Sequence, residues 1–374
     1  MKRLAPVIAL GLLVAVPCMA QIAGDLGGVR QQTSLTDSDR RRIRQFVEDA
    51  VQAMLADTKP DKAQTAAARQ AILNEVQSQD LSTPEYRRVF AEVTIEVLTE
   101  AESRLVSQPV RVNYMMVLAG LGSVDAVPLL SQAVEKDPYQ ASRYWAAKGL
   151  AVLAPVIVDR VMPRAEASIA QTAKAVLAKE ASTMVLLHLF DALGRFSHEQ
   201  ANDVLAQGAT DVAQRADVSD PIGARLWSDL IRSLERTYER EVRPEAKTAV
   251  LTAYATMCTQ INPPLNAEQV PESYNRVMVQ LNASLEKILG ESRGFSATEP
   301  LALQKLALLE WVEALVKTDR IPKRPPLPKA VEEAVREQTG AGTGEQEPPA
   351  PAPEAGGTGE TGSGTEPTPA AAGT

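Results

Sequence analysis

The run Arg111-Val-Asn-Tyr-Met-Met-Val-Leu-Ala-Gly-Leu-Gly-Ser-Val-Asp-Ala-Val-Pro-Leu-Leu130 leads into a second helical segment that ends at Asp137-Pro138. The chain then continues Arg143-Tyr-Trp-Ala-Ala-Lys-Gly-Leu-Ala-Val-Leu-Ala-Pro155. Arg111, Leu118 and Leu121 recur 32 positions later as Arg143, Leu150 and Leu153. Each copy has an Arg-led, Ala/Leu-rich helix whose small residues allow close approach to a neighbour. Neither helix of a pair can bury its apolar stripe alone, so the pattern predicts helices that stack.

Outward from this stretch, apolar positions recur at helical spacing from Thr36 to about Gln338, and no alternating strand or Asn-Gly hairpin signal interrupts them. In the first helix Thr36 is placed to cap, and Asp37 and Asp39 favour the positive end of the dipole. Ile43, Phe46, Val47, Ala50, Val51, Met54 and Leu55 make one stripe. Thr83-Pro84-Glu85 opens another helix through Val89, Phe90, Val93, Val97 and Leu98. Further helices are expected near 61–77, 109–120, 124–136, 138–153, 164–179, 182–194, 198–217, 221–240, 244–261, 267–289 and 298–318. The short connections imply antiparallel neighbours.

The Arg-led helix, the Leu-Gly turn, the Val-Pro-Leu-Leu element and the Asp-Pro turn resemble the short HEAT-like repeats related to those of phycobilisome lyases. A fainter copy follows in Leu193-Gly194 to Val204-Leu205, so the resemblance spans roughly residues 109–205. It implies an all-α, right-handed α-solenoid of antiparallel helix pairs. Beyond about Asp217 the helices lengthen and the signature fades, so an irregular helical C-terminal half is expected.

The two ends of the chain read differently. Lys2 and Arg3, the apolar run Leu4 to Val16 and Cys18-Met19-Ala20 form an export signal, with cleavage expected after Ala20. Lipidation at Cys18 is disfavoured because Pro17 stands where a small residue normally does. The run is too short to span a membrane, and no later segment is apolar for long enough. Residues 339–374 consist mainly of Gly, Pro, Ala, Thr and Glu, with no Lys, Arg, aromatic or large aliphatic side chain, which predicts disorder. The expected organisation is therefore a signal at 1–20, a flexible segment at 21–35, helical repeats at 36–216 and a C-terminal helical region at 217–320. A Pro-rich linker with a short helix, at 321–338, precedes the tail. The linker motif Arg324-Pro-Pro-Leu-Pro328 reads as a stiff spacer.

Composition limits the function. The 374 residues carry 2 His, 2 Cys, 4% aromatics and a net charge of -8. Two histidines and two cysteines do not make a zinc ribbon, a haem-attachment pair or a disulfide framework, and Cys258 stands alone after signal cleavage, in an apolar helical setting. The acidic balance argues against nucleic acid, whose affinity comes from Lys and Arg on phosphates. The signal carries two cations and the tail five glutamates, which leaves residues 21–338 at only -5.

No Walker loop, G-x-S-x-G, H-E-x-x-H or E-x-x-H motif is present. His188 and Asp191 share a helix face and His198 follows the turn, but the apolar surroundings of His188 favour a packed histidine. Glu92, Glu96 and Glu100 form a stripe that lacks the Glu-x-x-His elements of a metal bundle, so a solvated face or pairing with arginines of a neighbouring helix is expected. Arg40, Arg41, Arg42 and Arg44 read as a solvated face. No catalytic, cofactor or metal set assembles.

The densest aromatic and basic group is Tyr139, Arg143, Tyr144, Trp145 and Lys148, residue types enriched at protein-binding hot spots. Its structural alternative is packing within the repeat, with Arg143 bonded to a neighbouring turn. The reading is an exported, non-enzymatic helical scaffold, periplasmic or secreted, that binds a protein or peptide. The alternatives are an all-α carboxylate-dependent hydrolase or lyase, using residues such as Glu92 or Asp191, and a structural envelope protein tethered by its tail.

Overall fold

A computed structural model describes residues 26–55, 62–77, 82–261, 271–298 and 301–326. The expected signal peptide, Cys18 and the acidic tail lie outside the described residues, as does most of the 321–338 segment. The chain divides into a unit ending at Pro328 and a second unit, Lys329–Thr374, which also lies outside them.

The helices among the described residues are α1 (Gly27–Arg30), α2 (Asp37–Leu55), α3 (Lys62–Gln77), α4 (Pro84–Ala101), α5 (Gln108–Gly120), α6 (Val127–Lys136) and α7 (Gln140–Asp159). They continue as α8 (Pro163–Leu177), α9 (Thr183–Leu193), α10 (Glu199–Ala213), α11 (Pro221–Arg240), α12 (Pro244–Gln260), α13 (Glu272–Leu289) and α14 (Leu301–Lys317). No strand occurs among the described residues.

Local chemistry sets the starts. Thr36 and Asp39 cap α2 reciprocally: the Thr36 hydroxyl accepts from Asp39 N at 3.2 Å, and the Asp39 carboxylate accepts from Thr36 N at 3.0 Å. Thr83 caps α4 ahead of Pro84. Six helices (α4, α5, α6, α8, α11 and α12) carry a proline in their first turn, where the missing N–H costs nothing. Pro155 departs from this rule. The sequence places the end of its helix near Leu153, yet α7 runs on to Asp159 with Pro155 inside it, its ring on an exposed position.

Packing joins every second helix. In one row α5 lies on α7, α7 on α9, α9 on α11 and α11 on α13; in the other α6 lies on α8, α8 on α10, α10 on α12 and α12 on α14. This is a solenoid-like all-α fold with one core running from Leu26 to Ile321. The alternation continues through α14, so the repeat that fades from the sequence beyond Asp217 persists in the packing. Small residues set the spacing within a row. A Cβ on Gly149 of α7 would lie 3.0 Å from the Ala119 side chain and 3.1 Å from its Cα in α5. One on Gly194 would lie 2.5 Å from Ser233 Cβ and 3.1 Å from its Cα in α11.

Charged groups bind successive helices of each row together at the helix ends, with signs that match the dipoles. At the starts, buried carboxylates accept from backbone N–H groups. Glu166 of α8 takes Ser197 N and His198 N, at 3.1 and 2.8 Å, before α10. Glu241 takes Val242 N and Arg243 N, at 2.9 and 3.0 Å, before α12, and is held by Asn202 of α10 at 3.0 Å. At the ends, cations donate to terminal carbonyls. Arg215 reaches Leu177 O and Glu180 O beyond α8. Arg240 reaches Gly194 O, Arg195 O and Phe196 O beyond α9. Lys305 of α14, only 1% exposed, donates to Cys258 O, Thr259 O and Ile261 O of α12 at 2.5, 2.9 and 2.6 Å. Burial pushes the Lys305 ammonium down to about 7, with the neighbouring Cys258 opposing the shift and Arg324 adding to it.

Residues 321–326 fold back on the last helices. Ile321 and Pro325 are buried, Arg324 pairs with Glu313 of α14 at 2.6 Å, and Gln260 of α12 donates to Pro326 O at 2.9 Å. The first part of the segment expected as a linker is therefore packed against α12 and α14.

Candidate functional site

The aromatic and basic group on α7 begins at the turn before it. Asp137 accepts from Tyr139 N at 2.9 Å and from Arg111 at 3.2 Å, while its main-chain carbonyl accepts from Arg143 at 3.0 Å. Arg143 also grips Glu180, in the turn before α9, with two bonds of 2.7 and 3.2 Å, and Glu180 in turn accepts from Ser182 N at 2.8 Å. Burial alone would raise the Glu180 pKa, but Arg143 and the backbone N–H groups of the turn hold it below its ordinary value. The two arginines of the 32-residue echo thus do the same work: each pairs with an acid in the turn before the next helix of its row, Arg111 with Asp137 and Arg143 with Glu180.

One turn further on, Ala146, Ala147, Gly149 and Leu150 face the core, and Tyr144, Trp145 and Lys148 stand on the opposite side, all half-buried. The Tyr144 and Trp145 rings meet edge-on with centroids 5.5 Å apart. The Lys148 ammonium lies over the Trp145 ring at 4.4 Å. His188 of α9 completes the group, its ring 5.3 Å from that of Tyr144. Its Nε2 is enclosed and makes no hydrogen bond. Burial, helped by Lys148, lowers the His188 pKa, while Asp191 and Asp229 pull weakly the other way. The contacts therefore join Tyr144, Trp145 and Lys148 of α7 to His188 of α9, while Asp191 of α9 and Arg225 and Asp229 of α11 act on His188 through their charge.

Of the five residues singled out in the sequence, the structure brings Tyr144, Trp145 and Lys148 together. Arg143 is engaged in the turn, and Tyr139 sits half-buried just before the helix. His188 was assigned to helix packing. It is half-buried, but its ring belongs to this exposed group, a placement decided by the α7–α9 contact, which its apolar sequence neighbours do not reveal.

The other candidates lie elsewhere. Glu96 of α4 pairs with Arg40 of α2 at 2.6 Å, Glu100 with Arg44 at 2.5 Å, and Glu92 with both Arg40 and Arg88 at 3.3 Å. The acidic stripe and the arginine cluster are thus partners across α2 and α4, in the row opposite Asp191. Asp191 pairs with Arg195 at 3.2 Å. His198 caps α10, with Nδ1 accepting from Gln200 N at 3.2 Å. Cys258 is buried, and burial pushes its thiol up to about 12. Among the described residues no group of His, Cys, Asp and Glu is arranged to hold a metal ion, and no helix is long and apolar enough to cross a membrane. A hollow of about 330 Å³ lies between α3 and α5, lined by Thr65, Arg69, Val112 and Asn113 among others. No family model matches the chain, and no curated protein matches it.

Proposed function

We propose that this protein is an exported, non-enzymatic HEAT-like scaffold that binds a protein or peptide partner in the cell envelope, and that the partner sits on the α7–α9–α11 face. One observation carries the proposal. Trp227 and Trp311 are buried in the core at 1% and 0% exposure, whereas Trp145 is held half-exposed beside Tyr144, Lys148 and His188. A partly buried aromatic pair with an adjacent cation, packed on a neighbouring helix, has the composition and rigidity of a binding hot spot. The N-terminal Lys2–Ala20 pattern supports export.

Two features favour a scaffold over the carboxylate-enzyme alternative. Glu92 and Asp191, the carboxylates that alternative would use, lie in opposite rows and are each tied to an arginine. The buried acids Glu166, Glu180 and Glu241 bind backbone N–H groups at helix starts. The test is a photo-crosslinking residue placed at position 148 in cells, compared with one at Lys174 of α8 in the other row. Discrete adducts at 148 that disappear in W145A are expected. Equal labelling at both positions would overturn the proposal.

A further inference from the structure

We infer that the segment received on this face is acidic: a peptide whose Asp or Glu side chains meet Lys148 and Arg225 while an apolar side chain covers Tyr144 and Trp145. The inference rests on the binding reading above and adds the chemistry of the partner. Its first ground is charge. On a chain of net -8, this face carries Lys148, Arg195, Arg225 and Arg232 beside the carboxylates Asp191 and Asp229. Those two carboxylates are already engaged, Asp191 by Arg195 and Asp229 by Arg232. Arg225 reaches Asp229 only loosely, at 3.9 Å. Lys148 makes no ion pair among the described residues, and its ammonium rests on the Trp145 ring. Lys148, without an ion pair among the described residues, and Arg225, with only its loose contact to Asp229, both act electrostatically on His188 and are the least neutralised cations of the face, which selects an anionic partner and disfavours a cationic one.

The second ground is the form of the apolar part. The Tyr144 and Trp145 rings are half-buried among side chains of their own and the neighbouring helix, so they offer a shallow platform and not a protruding wedge. A platform of this kind suits a single apolar side chain of a polypeptide better than insertion into a lipid layer. Burial lowers the pKa of half-buried His188, which disfavours its charged form and leaves the positive charge to Lys148 and Arg225.

The test uses the full-length mature chain and its own fluorescence, since Trp145 is half-exposed where Trp227 and Trp311 are buried. The probes are a short labelled peptide of Glu and Leu, the same peptide with Gln or Lys in place of Glu, and vesicles containing phosphatidylglycerol. The Glu-Leu peptide is expected to bind, to shift Trp145 emission to the blue and to weaken with salt. K148E and R225E should each weaken it by about tenfold, with K148R close to the parent and all variants equally helical. Equal binding of the Gln or Lys peptide, or no effect of K148E, overturns the acidic assignment while leaving the binding face in place. A Trp145 shift with vesicles but not with the Glu-Leu peptide overturns it in favour of lipid. If no probe shifts Trp145 and the crosslinker at position 148 stays silent, the binding reading falls as well.

Discussion

At Val161, just past α7, a β-branched residue occupies the left-handed region with φ of 53°, 79% exposed, while Met162 N bonds Ile157 O at 3.1 Å to close the helix. The equivalent place after α13 is Gly290, with φ of 68°. Because the side chain touches solvent and the backbone is strained, V161G should raise the unfolding free energy by about 1 kcal/mol, read from urea denaturation. Glu241 supplies a pH dependence of known sign. Arg243 holds its carboxyl down at about 2, against an ordinary value of 4.5. The stability it contributes is complete above about 4.5 and is lost as the pH falls through about 2, since the unfolded chain takes up the proton first. The difference in urea midpoint between the parent and E241Q should therefore be largest near neutrality and shrink below pH of about 4.

Between elements, the stack depends on contacts that join a helix to the turn or helix two places away. R143A would leave the carboxylate of Glu180, 4% exposed at its side chain, without its guanidinium, and should cost about 3 kcal/mol. Thermal unfolding of R143A beside R143K, which keeps the charge but not the fork, separates loss of charge from loss of geometry. G194A would drive a methyl against Ser233 of α11, and because the obstruction includes backbone α9 and α11 would have to part. A loss of about 1–3 kcal/mol is expected by denaturant titration. By contrast, the Arg40 and Arg44 bridges to α4 lie on half-exposed side chains and are screened by salt, so they order the α2–α4 face more than they stabilise it.

Over the whole molecule, a stack in which each helix touches only near neighbours opens locally. Lys305 is the clearest point of control, since one ammonium ties α14 to the last carbonyls of α12. K305M keeps the length of the side chain but leaves Cys258 O, Thr259 O and Ile261 O without their donor, a loss of about 3 kcal/mol. Hydrogen exchange should accelerate in α12 and α14 and stay unchanged in α5 to α8. Uniform acceleration along the chain would mean that the stack opens as one cooperative unit.

The helices, their starts and the fact that they stack were written in the sequence, because caps, first-turn prolines and apolar stripes act over a few residues. Thr36, Thr83-Pro84 and the Arg111/Arg143 echo were enough to read an all-α repeat. Pro155 misled, since its ring points to an open position and the helix passes through it. The pairing of charges was not legible: Arg40 with Glu96, Arg143 with Glu180 and Lys305 with the end of α12 join residues separated by 37 to 56 positions, and no local pattern specifies them. For the same reason the sequence marked Tyr144, Trp145 and Lys148 but not His188 or Arg225. Local propensity decides which residues become helix, whereas which side chains share one face is decided only when α7, α9 and α11 are set side by side, where Gly149 and Gly194 let the helices of that row approach.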